Sequence, residues 1–203
     1  MTIPTEVFMG LVWAFPVLIA LTFHEIAHGY VAWRLGDDTA KRLGRLSLNP
    51  LRHIDLYGTV IVPALLILTM GFPFGWAKPV PVAFGRLDHP RQDMVWVAAA
   101  GPAMNLVLAI ATIFTFHIVP QLPHAAQIWL DLGIRVFIQV NLILAVFNMI
   151  PIPPLDGGRV AVGLLPNSLA RPLARLERFG FLIIIGTLFL MPWLGRMIGV
   201  DLD

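Results

Sequence analysis

Residues 7–33 carry a single charge, Glu25, in a long and otherwise apolar stretch of the chain. A stretch of this kind predicts a bilayer-spanning helix, because about 20 helical residues cross roughly 30 Å of hydrocarbon. It also contains the sequence HEIAH at 24–28. Ionisable residues at that depth are costly, so they are expected to be functional and to face the protein interior. In a helix, residues four apart share a face, so His24 and His28 can present two imidazoles to one metal ion.

The composition also indicates an integral membrane protein. Hydrophobic residues make up 58% of the chain and charged residues only 13%, whereas a soluble domain has about 25% charged residues. The 203 residues leave room for a single membrane-embedded domain over 1–203. The chain has no cysteine, so a metal site must be built from histidine and carboxylate ligands. Its basic residues lie beside apolar segments, where topology explains them, and we expect no nucleic-acid partner.

Five apolar stretches predict an all-α polytopic membrane protein that contacts the lipid bilayer directly. Four of them are expected to be transmembrane helices: 7–33, 94–119, 128–150 and 179–195. The remaining stretch, 57–72, would be only about 24 Å long as a helix, at about 1.5 Å per residue. We therefore expect a re-entrant segment or a short fifth hydrophobic segment there. A small β or extended element is expected around 40–50 and 76–83.

The distribution of basic residues predicts the topology. They cluster after the first stretch, before the third and between the fourth and fifth, and none lies in the N-terminal tail or in 120–127. The positive-inside rule places 34–56, 73–93 and 151–178 in the cytoplasm, and the N-terminus and 120–127 outside. This arrangement requires 57–72 to enter and return on one side. The expected location is a prokaryotic plasma membrane, with multiple passes and the active site toward the cytoplasm.

Two further polar motifs lie at about the depth of the HEIAH sequence, roughly 15 Å from the cytoplasmic interface by helical rise. GPAMN at 101–105 brings the amide of Asn105 into the third stretch. NMIPIPPLDGG at 148–158 ends the fourth stretch and supplies the carboxylate of Asp156. Three predicted helices therefore bring polar groups to one level of the membrane.

These residues suit a catalytic zinc site, which typically has three protein ligands and one open position. His24, His28 and Asp156 supply the ligands. Glu25 is the candidate base, which would take a proton from the attacking water and give it to the leaving amine. Two amides are candidate donors to the substrate backbone or to the developing oxyanion: Asn105 and Asn148.

The three motifs, in this order, resemble those of the site-2 protease family of intramembrane zinc metallopeptidases. The resemblance implies one zinc ion held by His24, His28 and Asp156, and a base role for Glu25. It also implies substrate or transition-state contacts for two amides, Asn105 and Asn148. The expected substrates are membrane-anchored proteins, cleaved in or near their transmembrane segments during regulated intramembrane proteolysis. We expect a compact member of the family, without the PDZ or CBS domain that several members have.

Each of these residues has a simpler structural alternative. Asp156 could cap a helix or fix a Pro-Gly turn, and Asn105 and Asn148 could join helices by hydrogen bonds. Asn141, seven residues before Asn148, is assigned to packing. The alternative function is a non-catalytic metal-binding membrane scaffold or carrier. Glu25 distinguishes the two functions, because metal ligation does not need a base.

The segment 76–82 is a candidate surface for the substrate. A helical peptide bond is already hydrogen-bonded and shielded, so a substrate helix is expected to unwind near the site. The extended chain could then pair with 76–82 as an added strand, and main-chain pairing would give affinity without strict sequence choice.

Overall fold

The computed structural model describes residues 5–70 and 75–187. In chain order its helices are α1 (Thr5–Arg34), α2 (Thr39–Arg42), α3 (Val62–Met70), α4 (Pro90–Ile113), α5 (His124–Asn148), α6 (Asp156–Leu164), α7 (Asn167–Leu176) and α8 (Gly180–Ile185). Short 3₁₀ turns lie at Pro50–His53, Phe84–Arg86, Phe114–His117, Val119–Gln121 and Glu177–Phe179, and a π-helical turn, Leu56–Ile61, leads into α3.

Within the described residues, three helical stretches are long and apolar enough to cross a membrane: Val12–Arg34, Pro90–Gln121 and Leu130–Asn148. They correspond to three of the four predicted transmembrane helices. The fourth, 179–195, lies outside the described residues from 188 onward, so the count of four is not confirmed. The single domain and the membrane topology stay predictions.

The three long helices form the centre of the fold. α4 packs against α1, α5 and α6, and α1 also packs against α5. Ala20 of α1 is fully buried against Val136 and Val140 of α5. Further along α1, Ala32 packs with Val97 of α4. Small residues at such contacts let helix backbones approach closely, which is how helices associate in lipid.

The stretch 57–72 folds as an excursion that returns to its starting point. The Asp55 carboxylate begins it by accepting hydrogen bonds from the backbone N–H groups of Tyr57 and Gly58. The chain that follows α3 lies beside the start of this excursion, because the Trp76 N–H donates to the Gly58 carbonyl over 2.9 Å. The Thr59 hydroxyl in turn donates to the Trp76 carbonyl. This geometry suits the predicted re-entrant segment, whose depth in a membrane stays a prediction.

No strand occurs in the described part of the chain, so the predicted β element around 40–50 and 76–83 is not confirmed. The first range contains α2 and turns, and residues 75–83 are irregular. The physical reason is that this backbone bonds to side chains and to single carbonyls of nearby turns, such as that of His53, and not to a neighbouring strand. Arg45 Nη2, for example, donates to the Lys78 carbonyl over 2.8 Å. Pro79 and Pro81 have no N–H to offer a strand.

Candidate metal centre

α1 supplies two histidines on one buried face. His24 and His28 are 5% and 9% exposed, and their Nε2 atoms are 3.0 Å apart. The regular helix produces this geometry, because side chains four residues apart lie one above the other. The spacing of HEIAH therefore places two potential metal ligands side by side.

Asp156 reaches the two histidines as the first residue of α6. Its Oδ2 lies 3.2 Å from the Nε2 of His24 and 3.3 Å from that of His28. The two glycines that follow permit this approach. A Cβ at Gly157 would lie 2.3 Å from the Met149 carbonyl oxygen, and one at Gly158 would lie equally close to the Pro153 nitrogen. The DGG sequence therefore packs the start of α6 against the turn that ends α5.

The hydrogen bonds of the histidines determine which nitrogen faces Asp156 without a proton. His28 Nδ1 is 2.7 Å from the Val97 carbonyl oxygen, which can only accept, so the proton is on Nδ1. His24 Nδ1 is 2.6 Å from Asn105 Oδ1. A neutral imidazole carries one proton, so both Nε2 atoms are left as lone-pair donors to a metal.

A chain of amides fixes the orientation of Asn105. Asn141 Nδ2 donates to the Phe137 carbonyl, which leaves Asn141 Oδ1 as an acceptor. Asn105 Nδ2 donates to that oxygen over 2.9 Å and to the Ala20 carbonyl over 3.3 Å. Asn105 Oδ1 is therefore the acceptor for His24 Nδ1–H. Such outer hydrogen bonds orient a metal ligand and set its tautomer.

With both imidazoles neutral, the two Nε2 atoms and Asp156 Oδ2 thus face one another as three buried lone-pair donors. Asp156 Oδ2 is buried without a hydrogen-bond partner, and unpaired buried acceptors are costly. Three side chains form a cluster that could hold a metal ion: His24, His28 and Asp156. In a tetrahedral zinc site with bonds of about 2.0–2.1 Å, ligand atoms lie about 3.3 Å apart. The observed separations of 3.0–3.3 Å fit a zinc ion.

The packing around Gly101 explains why the GPAMN motif begins with glycine. A Cβ at this position would lie 2.3 Å from His28 Nε2 and 2.6 Å from His24 Nε2. Only glycine lets α4 pass this close to both imidazoles. One helical turn later, the same helix presents Asn105 to His24.

A cleft of about 380 Å³ opens beside the cluster. It lies between the ligands and the irregular segment 75–84, and its lining includes Glu25 and Asn148. Glu25 Oε2 accepts a hydrogen bond from the Val80 N–H over 2.7 Å. Asn148 Nδ2 donates to the Leu144 carbonyl of its own helix. The predicted base and one predicted substrate contact therefore share the cleft with the ligands.

The position of Asn105 favours a role in orienting His24. It is fully buried, its amide groups are all engaged with protein atoms, and it does not line the cleft. Its predicted contact with a substrate stays a prediction. Asn141, assigned to packing from the sequence, belongs to the same chain of amides. The only sequence signal for it was an amide in the middle of an apolar helix.

The backbone of 76–82 is partly engaged already, which limits how a strand could be added. The N–H groups of Trp76 and Lys78 bond to backbone carbonyls, and the Val80 N–H is bonded to Glu25. The prolines at 79 and 81 have no N–H. Strand addition stays a prediction, and it would have to use the remaining backbone groups.

Fold and site together define a class, namely helical membrane proteins with a buried metal-binding cluster of two histidines and one carboxylate. The family model of Peptidase family M50 matches residues 121–191, and curated relatives match most of the chain. The chain belongs to peptidase family M50, the site-2 proteases.

The relatives carry the name of zinc metalloproteases. "Putative zinc metalloprotease YwhC" of Bacillus subtilis (strain 168) is 40% identical over 180 residues, which cover 87% of this chain and 78% of the relative. "Putative zinc metalloprotease Rip2" of Mycolicibacterium smegmatis is 35% identical over 185 residues, covering 88% and 66%. "Putative zinc metalloprotease MJ0611" of Methanocaldococcus jannaschii is 35% identical over 138 residues, covering 68% and 62%. No solved structure matches the chain significantly.

Proposed function

We propose that this protein is an intramembrane zinc endopeptidase that cleaves membrane-anchored proteins in or near their transmembrane segments. The observation that carries the proposal is the cluster itself. Two imidazole nitrogens and one carboxylate oxygen converge within 3.3 Å of one another, and they do so beside Glu25 in a cleft. Membership of family M50 and the names of the relatives support the same reaction.

The residues divide the chemistry between them. His24, His28 and Asp156 hold the zinc ion. When bound, zinc acidifies a water molecule and polarises the peptide carbonyl. Glu25 accepts the proton of the attacking water and passes it to the leaving amine, a role worth about 10²–10⁴-fold in rate. Asn148, at the edge of the cleft, is a hydrogen-bonding partner for the substrate backbone.

The location of the site indicates the class of substrate. The ligands lie on α1, which is apolar enough to cross a membrane, and His24 is about 15 Å from Arg34 by helical rise. The basic loops 34–56, 73–93 and 151–178 belong in the cytoplasm, with the N-terminus outside. The substrate then reaches the cleft within the cytoplasmic half of a plasma membrane, where its helix has to unwind before a peptide bond is exposed.

The test is cleavage of a single-pass membrane protein by the purified chain in proteoliposomes. Glu25→Gln is expected to keep stoichiometric zinc and to lower kcat about 10²–10⁴-fold, because ligation persists without a base. Chelation is expected to abolish cleavage in the wild type. Asp131→Asn is the matched control, since Asp131 is an exposed partner of Arg135 on α5 and lies outside the cleft.

The outcome of the same experiment separates enzyme from scaffold. Loss of cleavage in Glu25→Gln, with zinc and control activity retained, supports the endopeptidase. Full cleavage by Glu25→Gln contradicts the proposed role of Glu25. Zinc binding without cleavage by the wild type would instead support the non-catalytic metal-binding scaffold or carrier.

A further inference from the structure

The irregular segment 75–83 bonds directly to the proposed base. Val80 donates its N–H to Glu25 Oε2 over 2.7 Å, and no described residue donates to Oε1. Pro79 and Pro81 on either side have no N–H, so this is the one amide donor in three residues. The Val80 side chain also rests on α1, because a Cβ at Gly29 would lie 2.7 Å from its Cγ1. The segment therefore holds one oxygen of the base and leaves the other available.

A second carboxylate holds the far end of the same segment. Asp37, three residues after the end of α1, is 1% exposed. Its Oδ2 accepts the Ala83 N–H over 2.6 Å, and its Oδ1 accepts the Thr39 N–H over 3.0 Å and also the Thr39 hydroxyl. Its own N–H donates to the Ala32 carbonyl. A buried carboxylate is costly unless it is hydrogen-bonded, and Asp37 makes no ion pair with the described residues.

The backbone positions of the two carboxylates are fixed relative to each other. Glu25 lies in α1, and the Asp37 N–H donates to the Ala32 carbonyl of the same helix. The amides that they bind, Val80 and Ala83, are three residues apart. Displacing Ala83 therefore shifts the Val80 N–H relative to Glu25. A side chain with several rotatable bonds is held in a productive orientation only by such supporting hydrogen bonds.

We propose that Asp37 is a positioning residue for the base: by holding the Ala83 N–H, it keeps the Val80 N–H on Glu25 and so fixes the direction of the carboxylate. The proposal rests on the proposed function, in which Glu25 moves the proton. Asp37 itself does not line the cleft, so it acts only through the segment.

The test compares Asp37→Ala and Asp37→Asn with Asp38→Ala as the matched control. Asp38 is the neighbouring carboxylate but pairs with Arg42 and Arg86 at the surface. For Asp37→Ala we expect kcat to fall about tenfold or more, with KM within about twofold and zinc content unchanged. Asp37→Asn keeps one acceptor oxygen, so its effect is expected to be intermediate. If Asp37→Ala does not fold, Asp37→Asn carries the test.

Hydrogen exchange supplies a readout that does not depend on activity. Because Pro79 and Pro81 have no amide, exchange within 79–81 reports Val80 alone. We expect Val80 to exchange about tenfold faster in Asp37→Ala, as it should in Glu25→Ala, and at the wild-type rate in Asp38→Ala. The proposal is overturned if kcat falls without faster Val80 exchange, if exchange rises without a fall in kcat, or if neither changes.

Failure of the proposed function looks different. In that case Glu25→Gln cleaves at the wild-type rate, whatever the Asp37 variants do. If Glu25→Gln is inactive and Asp37→Ala is unaffected in both readouts, the endopeptidase stands and only the positioning role of Asp37 is lost.

Discussion

The two walls of the cleft are built in opposite ways. The metal wall consists of regular helices, and its three ligands are buried and oriented by further buried groups, as His24 is by Asn105. The opposite wall, 75–83, has no regular structure. A few bonds to side chains hold it, among them those to Glu25 and Asp37. We therefore expect the geometry of the metal site to tolerate the loss of one contact better than the position of the opposite wall does.

The difference follows from what each wall has to do. Ligand atoms must stay within a few tenths of an ångström to bind a metal, and packed helices provide that precision. The opposite wall presents irregular backbone to the cleft, and such backbone is tolerated in a membrane only against protein or water. The predictions below test each wall in turn.

The largest effect is expected from Gly101→Ala in the metal wall. The added methyl group would lie 2.3 Å from His28 Nε2, so an imidazole has to move. We expect zinc affinity to fall at least about a hundredfold, beyond the 10–100-fold typical of losing an outer hydrogen bond. Zinc titration of the purified protein measures this affinity.

Gly133→Ala on α5 is the control, since nothing lies within 4 Å of its Cβ. Equal zinc affinity in both variants would contradict this view of the metal wall.

A smaller effect is expected from Asn105→Ala. The variant removes the acceptor of His24 Nδ1–H without any clash, and zinc affinity should fall about 10–100-fold. Asn148→Ala is the comparison, because Asn148 bonds only to the Leu144 carbonyl of its own helix, and its zinc affinity should match the wild type. An Asn105→Ala protein with normal zinc affinity and an altered KM would support the substrate role predicted from the sequence.

The smallest effect is a pH dependence in the opposite wall. Burial acts to raise the pKa of Asp37, but hydrogen bonds from Thr39 and Ala83 outweigh it, and the pKa lies below its ordinary value of 3.8. A lowered folded-state pKa contributes stability above the unfolded-state pKa, and that stability is lost as the pH falls through the folded-state value.

Asp37→Asn should therefore be less stable than the wild type near neutral pH, by about 1–3 kcal/mol. The gap should begin to narrow below about pH 4, where the carboxylate becomes protonated in the unfolded state, and should close as the pH falls through the lower folded-state pKa. Thermal unfolding of both proteins in detergent from pH 7 to pH 3 measures this difference in stability. A gap that stays constant across this range would mean that the charge of Asp37 contributes nothing to holding the segment.

The metal wall was the more predictable of the two from the sequence. The four-residue spacing of His24 and His28 fixes their relation in any helix, and the DGG sequence marked Asp156. The partner of Asn105 was not predictable, because it depends on how α4 is rotated against α1. That rotation is set by packing at residues such as Gly101.

The opposite wall was predicted less well. An extended element was expected around 76–83. The competing acceptors, Glu25 and Asp37, are 55 and 46 residues away in the sequence from the amides that they bind, and only the tertiary fold brings them together. Local sequence therefore could not reveal that the backbone bonds to side chains.

The prolines at 79 and 81 have one more consequence. An exposed row of free amides is a template to which any extended chain can attach, and proline is one of the devices that prevent such attachment. Here the single donor between the prolines is already bonded to Glu25. The stretch 79–81 therefore offers an unfolded chain no free N–H with which to pair.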